Sequence, residues 1–498
     1  MELPFEKTVC RYWKQKLYTL ENREETQELR LPDSMPDVGR VISSWGQVIL
    51  RGKDWHSRGV GISGGVMVWV LYSPEDGGAL QRLESWIPFQ ARADFPEPGD
   101  DGVIRVEPFL VSVDARPASS RRLVLRTGIA LLIQAMVPDE LELWKLGELP
   151  GDLETKIERY PFVLTREAGE KSFLLDEDLN LPERMPPVEQ LVYYRLEPEI
   201  LEQKVLGSRA AFRGMGNLHL LYIDPEGRLN SHDFRVPFAQ YVDLDGEYEE
   251  DAEVSCLLCV TSLELDAEQD GALRLKCGMV CQHTVCAKEQ VELLQDCYSP
   301  VREVWLEKQL VSVPAWLDQQ NRQLELSSSV SGGDGQPVDL IFFRNPPDVK
   351  LRTGAADVEQ GGTFRTLLMD PAGQYTSRTD RAGESIHMDT ECQTVCFSSG
   401  SGTVGMRQEG ASWRTDTQVA MDLKSLCVRP MEMVTGVKLG QERVPDPERP
   451  SVIIRCRNRG ETLWDLAKRC GSTVGAIRRI NRLEGEPEQE RLLLIPVL

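Results

Sequence analysis

The stretch that decides the fold is LPDSMPDV at residues 31–38, because it returns as LPERMPPV at residues 181–188. The two copies are 150 residues apart. At the same spacing, the apolar run that ends at Tyr72 matches the run that ends at Tyr222. Agreement over separate blocks at one fixed spacing indicates an internal duplication.

A third, more divergent copy follows the second. Residues 367–373 read LLMDPAG and repeat a strand followed by an Asp-Pro-x-Gly turn, as residues 220–227 do in the second copy. The Leu-Pro-x-x-Met-Pro motif of the first two copies is absent upstream of this turn, where residues 327–333 are rich in Ser and Gly. The sequence therefore predicts three tandem repeats and a separate C-terminal module, with boundaries at residues 1–150, 151–299, 300–440 and 451–498.

Each repeat has the pattern of β-structure. Residues 66–72 form an apolar run rich in β-branched and aromatic residues, and a Pro/Gly turn ends it. Residues 122–132 alternate and then become apolar, and residues 273–280 have the same place in the second copy. Many short strands predict a mainly β chain of three tandem β-sandwich or barrel-like repeats.

The charge excludes some partners. Lys and Arg number 57 against 79 Asp and Glu, for a net charge of −22. So acidic a chain repels phosphate, and we expect no nucleic acid partner. The first residues lack a secretory pattern and no window reaches the apolar length of a transmembrane segment, so a cytoplasmic location is expected.

The twelve cysteines are expected to be thiols in that compartment. Cys256 and Cys259 form a C-x-x-C, but a strand directs residues three apart to opposite faces, so no metal site is predicted.

The last 48 residues differ from the rest. They carry nine basic and six acidic residues, a net charge of +3, which leaves −25 for the body. A strand at 452–454 precedes Thr462, a natural N-cap, and Gly471 is placed to end that helix. Thr473 caps a second helix, and residues 492–496 close the module as a strand. A small βααβ domain is therefore predicted.

This module closely resembles a LysM domain, through GETLWDLA at residues 460–467, Asn481 and LIP at residues 494–496. In that family a groove between the loop after the first strand and the loop after the second helix binds the N-acetylglucosamine backbone of peptidoglycan or chitin. The resemblance implies ligand- or partner-binding residues in both loops: Gly460, Glu461, Thr462, Leu463, Trp464, Asn481, Arg482 and Leu483. Trp464 has two interpretations, a residue of the module's core or a half-exposed anchor for a partner.

Two further surfaces are candidates for docking. Arg478 and Arg479, with Arg482, form a basic side of the second helix, which is either a solvated face or a site for an acidic partner. Asp33, Met35 and Asp37 lie in a loop that either docks a partner or is a rigid two-proline turn.

Catalytic patterns are weak throughout. Two G-x-G-x-x-G stretches, at residues 59–64 and 400–405, lack the strand-then-helix context of a dinucleotide site and are interpreted as turns. None of the five histidines belongs to a recognisable catalytic motif. We therefore predict no catalytic residue, no cofactor and no enzyme activity.

The repeats resemble the SPOCS domain of spore coat and envelope proteins, through LPDSMPDVGRVI at residues 31–42, GQVIL at residues 46–50 and the strand that ends at Tyr72. Tandem SPOCS-like repeats with a C-terminal LysM domain are similar to the SipL and SpoVID family of coat morphogenetic proteins. The resemblance implies a scaffold in the mother-cell cytoplasm that joins a coat basement ATPase of the SpoIVA type to the forespore surface. Two alternatives are a peptidoglycan-binding cell-wall protein and, less favoured, a wall hydrolase that LysM targets.

Overall fold

The computed structural model describes residues 2–99, 101–147, 150–267, 272–331, 335–390, 393–444, 448, 450–456, 458, 460–485 and 492–497. Strands dominate it and two short helices lie near the C-terminus, which confirms the mainly β prediction. No helix in these ranges has the length and apolar character needed to span a bilayer.

The strands follow the repeat order. Those of the first repeat are β1 (Phe5–Arg30), β2 (Val38–His56), β3 (Gly59–Pro74), β4 (Gln81–Asp94), β5 (Val103–Ser119) and β6 (Arg122–Leu146). Those of the second are β7 (Glu154–Leu179), β8 (Gln190–Ile223), β9 (Leu229–Tyr248), β10 (Glu253–Ala267) and β11 (Leu273–Tyr298). Those of the third are β12 (Arg302–Ser331), β13 (Gln336–Arg344), β14 (Asp348–Arg352), β15 (Ala355–Met369), β16 (Tyr375–Asp389), β17 (Gln393–Ser401), β18 (Gly405–Glu409) and β19 (Ser412–Glu442).

All three repeats share one topology. In the first repeat, one sheet has the order β2-β3-β4 and is called the inner sheet. A second sheet has the order β1-β6-β5. In this second sheet the first and last strands of the repeat, β1 and β6, pair along their length as a ribbon. The second repeat has β8-β9 and β7-β11-β10 in the same places. The third has β13 and β14 on one edge of β15 with β16 on the other, and β12-β19-β17 with β18 also on β19.

The single long strand β8 occupies the places of both β2 and β3. It turns at Gly207, whose φ of +61° is in the left-handed region that favours glycine. After this turn the two halves of β8 lie side by side, as the ion pair between Arg213 and Glu202 at 2.6 Å shows. At Gly214 a Cβ would collide with the Glu199 carbonyl oxygen, as one at Gly64 would collide with that of Ile49 in the first repeat. The duplication therefore preserves the same close strand approach.

The three inner sheets close on one another as a ring. Each joint is a side-chain bond of 2.9 Å to a backbone carbonyl, and the joints connect β4 to β8, β9 to β13 and β16 to β2. The bonds run from Arg82 to Leu191, from Ser231 to Val338 and from Arg40 to Tyr375. One core cluster draws Trp45, Tyr193 and Phe343 from the three repeats. The repeats thus share a core, which the tandem pattern in the sequence did not indicate.

The ribbons extend beyond the ring and pack as a triangular bundle. Equivalent residues of the three repeats meet in one buried cluster, including Tyr12, Phe162 and Val313 on the first strand of each ribbon. Strand β1 alone has 26 residues, or roughly 85 Å at about 3.3 Å per residue. The two loops that carry the repeated Leu-Pro-x-x-Met-Pro motif, residues 31–38 and 181–188, are named the Pro/Met loops and lie at one end of this length. The chain leaves the ribbons at the other end.

Nine of the described cysteines are thiols outside any disulfide, which agrees with the expectation for those nine. Cys427 is disulfide-bonded, so the expectation that all twelve are thiols is wrong. Cys256 and Cys259 lie in different core clusters, as their opposite directions on a strand require. Burial raises the pKa of the Cys259 thiol to about 12. Among the described residues, no group of three or more His, Cys, Asp or Glu is arranged to hold a metal ion.

Candidate functional site: the C-terminal module

The C-terminal module has the order β20 (Val452–Arg455), α1 (Leu463–Cys470), α2 (Val474–Asn481) and β21 (Leu493–Pro496). Thr462 caps α1 by accepting the Asp465 N–H, and the Asp465 carboxylate accepts the Thr462 N–H at 2.9 Å in return. Thr473 caps α2, and Gly471 ends α1 in the left-handed conformation. The predicted βααβ order is confirmed.

The helices pack on one face of the β20-β21 sheet. Leu463, Leu466, Ala467 and Ile477 are buried with Leu493 and Ile495. Leu463, predicted as a groove residue, is fully enclosed in this core. Its contribution to any ligand site is therefore through the fold of the loop.

The first loop is held by its own side chains. Glu461 pairs with Arg469 at 2.9 Å and accepts the Asn458 N–H at 2.8 Å. Gly460 has a φ of +81°, and it is exposed, as is Thr462. Gly460 and Thr462 are therefore exposed residues of the predicted groove on this side.

The second loop begins with a structural residue. The Asn481 side-chain amide donates to the carbonyls of Ile477 and Leu494, and its oxygen accepts the Leu494 N–H at 2.9 Å. Arg482 follows in the left-handed region with a φ of +52°, and Leu483 packs against the module core. Residues 486–491 of this loop lie outside the described residues.

Trp464 contacts the second repeat. Its indole N–H donates to the Asp296 carboxylate at 2.8 Å, and its ring meets that of Tyr298 edge-on with centroids 4.9 Å apart. Lys468, one turn further along α1, pairs with the same carboxylate at 2.7 Å. The Tyr298 hydroxyl donates to the Ser472 carbonyl at 3.0 Å. These bonds fix the module on the end of β11. Trp464 also packs, partly buried, against the module core, as its first interpretation proposed, but the contact with the second repeat was not predicted.

Asp296 and Tyr298 were missed from the sequence. Asp296 is one of 79 acidic residues, and it meets Trp464 across 168 positions of chain. No local periodicity marks such a pair.

The predicted basic side of α2 is exposed. Arg478, Arg479 and Arg482 all face solvent, as does Arg455 on β20. Within the described part of the module, none of the four has an ion-pair partner. Lys468 and Arg469, by contrast, are both paired.

The first Pro/Met loop lies at the far end of the molecule and is internally braced. Arg121 donates to the carbonyls of Pro32 and Met35 and to the Asp37 carboxylate at 2.7 Å. The bond from Arg121 holds the pKa of Asp37 below its usual value. Asp33 is 91% exposed. This bracing is what a rigid two-proline turn requires, and a docking role for Asp33, Met35 and Asp37 stays a prediction.

The fold and site define a β-rich, three-repeat body that carries a small C-terminal binding module. Residues 458–486 match the LysM domain, a peptidoglycan- and glycan-binding module. The match covers the first loop, both helices and the start of the second loop. No curated protein and no solved structure shows significant similarity to the chain.

Proposed function

We propose that the protein is a non-enzymatic scaffold of the spore envelope, acting from the mother-cell cytoplasm at the forespore surface. The body would span the distance between layers, and the LysM module would join the coat basement layer, through an ATPase of the SpoIVA type. The LysM match and the resemblance of the repeats to SPOCS domains support this proposal.

The observation that carries it is the fixed mounting of the module. A fixed mounting lowers the ordering cost of binding, so an adaptor between two layers benefits from a set geometry. Here one carboxylate, Asp296, holds both Trp464 and Lys468 at the end of a ribbon bundle. The opposite end, about 85 Å away by strand length, is free for a second contact.

A second candidate function is peptidoglycan or N-acetylglucosamine binding in a cell wall. The LysM match favours it, and so does the exposure of Gly460 and Thr462 in the first loop. In that case the module would bind glycan directly and the body would be a spacer.

Two measurements test the proposal. A fluorescent fusion is expected to be made only during sporulation and to form a ring around the forespore. The purified full chain is expected to bind a SpoIVA-type ATPase more tightly than peptidoglycan sacculi. Signal in the walls of growing cells with retention on sacculi alone would support the second candidate instead, and hydrolysis of the sacculi would indicate an enzyme.

A further inference from the structure

The two edges of the β20-β21 sheet differ in their free backbone groups. The Val497 N–H donates to the Ser451 carbonyl at 2.9 Å, which fixes the alternation of bonded pairs along the register. Ile453 and Arg455 therefore direct their backbone groups toward β21. Val452 and Ile454 direct theirs outward.

The outer edge of β21 is closed. Leu494 points its N–H and carbonyl outward, and the Asn481 side chain binds both. Pro496, the next outward position, has no N–H to donate. Both are ways in which proteins prevent strand addition.

The outer edge of β20 has neither device. Among the described strands β20 pairs with β21 alone. Its outward residues also expose apolar side chains, on the face of the sheet that the helices leave uncovered. The exposed fractions on this face are 42% for Val452, 62% for Ile454, 67% for Leu492 and 39% for Leu494.

We propose that the edge of β20 binds an extended segment of a partner protein as an added strand, with acidic residues alternating with apolar ones. Backbone bonds to Val452 and Ile454 would provide the affinity, and apolar side chains on alternate positions would cover the exposed face. The inference rests on the proposed function only in taking a protein as the partner of the module.

The charge of the module selects an acidic segment. Arg455 lies on β20 itself and is exposed. Arg478, Arg479 and Arg482 add three exposed positive charges on and just after α2, which packs beside β21, and none has an ion-pair partner among the described residues. Asp465 and Glu484 are exposed acids of the same module. A second copy of the module would bring the same arginines to the contact, so like charges disfavour pairing of β20 with itself.

The test uses the full chain and two fluorescent nine-residue peptides, one alternating Glu with Val and one alternating Lys with Val. We expect the acidic peptide to bind at least tenfold more tightly by fluorescence anisotropy. Ile454→Pro is expected to weaken that binding at least tenfold, because proline removes an outward N–H that the bonds to β21 do not use. The control Val444→Pro places a proline at an exposed residue before the module and is expected to stay within threefold of wild type.

A second measurement guards against misfolding of the proline variant. The acidic peptide carrying N-methyl groups on alternate residues cannot form a continuous ladder with β20, and it is expected to lose binding to the unaltered protein. Equal binding of the acidic and basic peptides, or binding that survives both N-methylation and Ile454→Pro, would overturn the inference. So would a dimer of the full chain, seen by light scattering, that Ile454→Pro dissociates. Loss of forespore localisation with intact peptide binding would count against the proposed function alone.

Discussion

The joints between the repeats and the joint between the body and the LysM module use similar residues in different surroundings. Between repeats, Arg344 pairs with Glu107 at 2.9 Å, and both side chains are nearly enclosed, at 11% and 4% exposure. At the module, Lys468 pairs with Asp296 at 2.7 Å and is 43% exposed. A buried charge that loses its partner is costly, whereas an exposed one is solvated. The comparison predicts a body that unfolds as one unit and a module whose docking depends on a few partly exposed contacts around Asp296.

The largest effect is expected at the buried pair. Glu107→Ala leaves the Arg344 guanidinium uncompensated inside the body and should lower the free energy of unfolding by about 3–5 kcal/mol. Urea denaturation measures it. Glu142→Ala, which breaks the exposed pair with Lys7, is the matched control and should cost about 1 kcal/mol or less. Equal losses in the two variants would contradict the comparison.

A second buried joint gives a pH dependence. His219 bonds Asp233 at 2.6 Å and Asp339 of the third repeat at 2.7 Å, and the Tyr193 hydroxyl donates to Asp339. Burial alone would lower the pKa of His219, but the two carboxylates outweigh it and raise the pKa to about 10. Since the folded value exceeds the unfolded one, the stabilisation is complete below about pH 6.5 and is lost as the pH rises through 10.

The measurement is the free energy of unfolding from pH 6 to pH 10 for wild type and His219→Gln. Wild type should lose on the order of 2 kcal/mol more than the variant over this range. His232, whose pKa burial lowers, lies near this cluster, and His232→Gln serves as the control with an unchanged slope. Parallel curves for wild type and His219→Gln would show that the cluster does not couple to folding.

The module joint should break more easily. Asp296→Ala removes the acceptor of both Trp464 and Lys468, and we expect detachment of the module with a loss of about 1–2 kcal/mol of docking free energy. A red shift of Trp464 fluorescence and a larger radius of gyration would report it, while the urea midpoint of the body stays unchanged. Glu292→Ala, on the same strand and paired with Arg159, is the control. A body midpoint that falls with Asp296→Ala would mean that module and body unfold together.

Local sequence patterns predicted the secondary-structure elements, but they did not predict contacts between residues that are distant in the sequence. The apolar runs and the caps at Thr462 and Thr473 all lie within windows of a few residues, and each predicted its element correctly. The closure of the repeats depends on bonds such as Arg40 to the Tyr375 carbonyl, 335 positions apart. Neither of these two residues belongs to a repeated sequence pattern that would mark it as a contact between repeats. Asp296 is of the same kind, since its role depends on where a ribbon ends in space.

The smallest effect is expected at the loop farthest from the module. Arg121→Ala removes three bonds that brace residues 32–37, but the guanidinium is partly exposed and water replaces much of what is lost. The Tyr72 hydroxyl still donates to the Pro36 carbonyl at 3.0 Å, as Tyr222 does to Pro186 in the second repeat. Global stability should therefore fall by about 1 kcal/mol, while amide hydrogen exchange rises in the first loop and not in its counterpart at residues 181–188. Faster amide exchange in both loops would mean that the ring of inner sheets transmits the change from one repeat to the next. The repeats would then respond to a local change together, even where the altered contact is partly exposed.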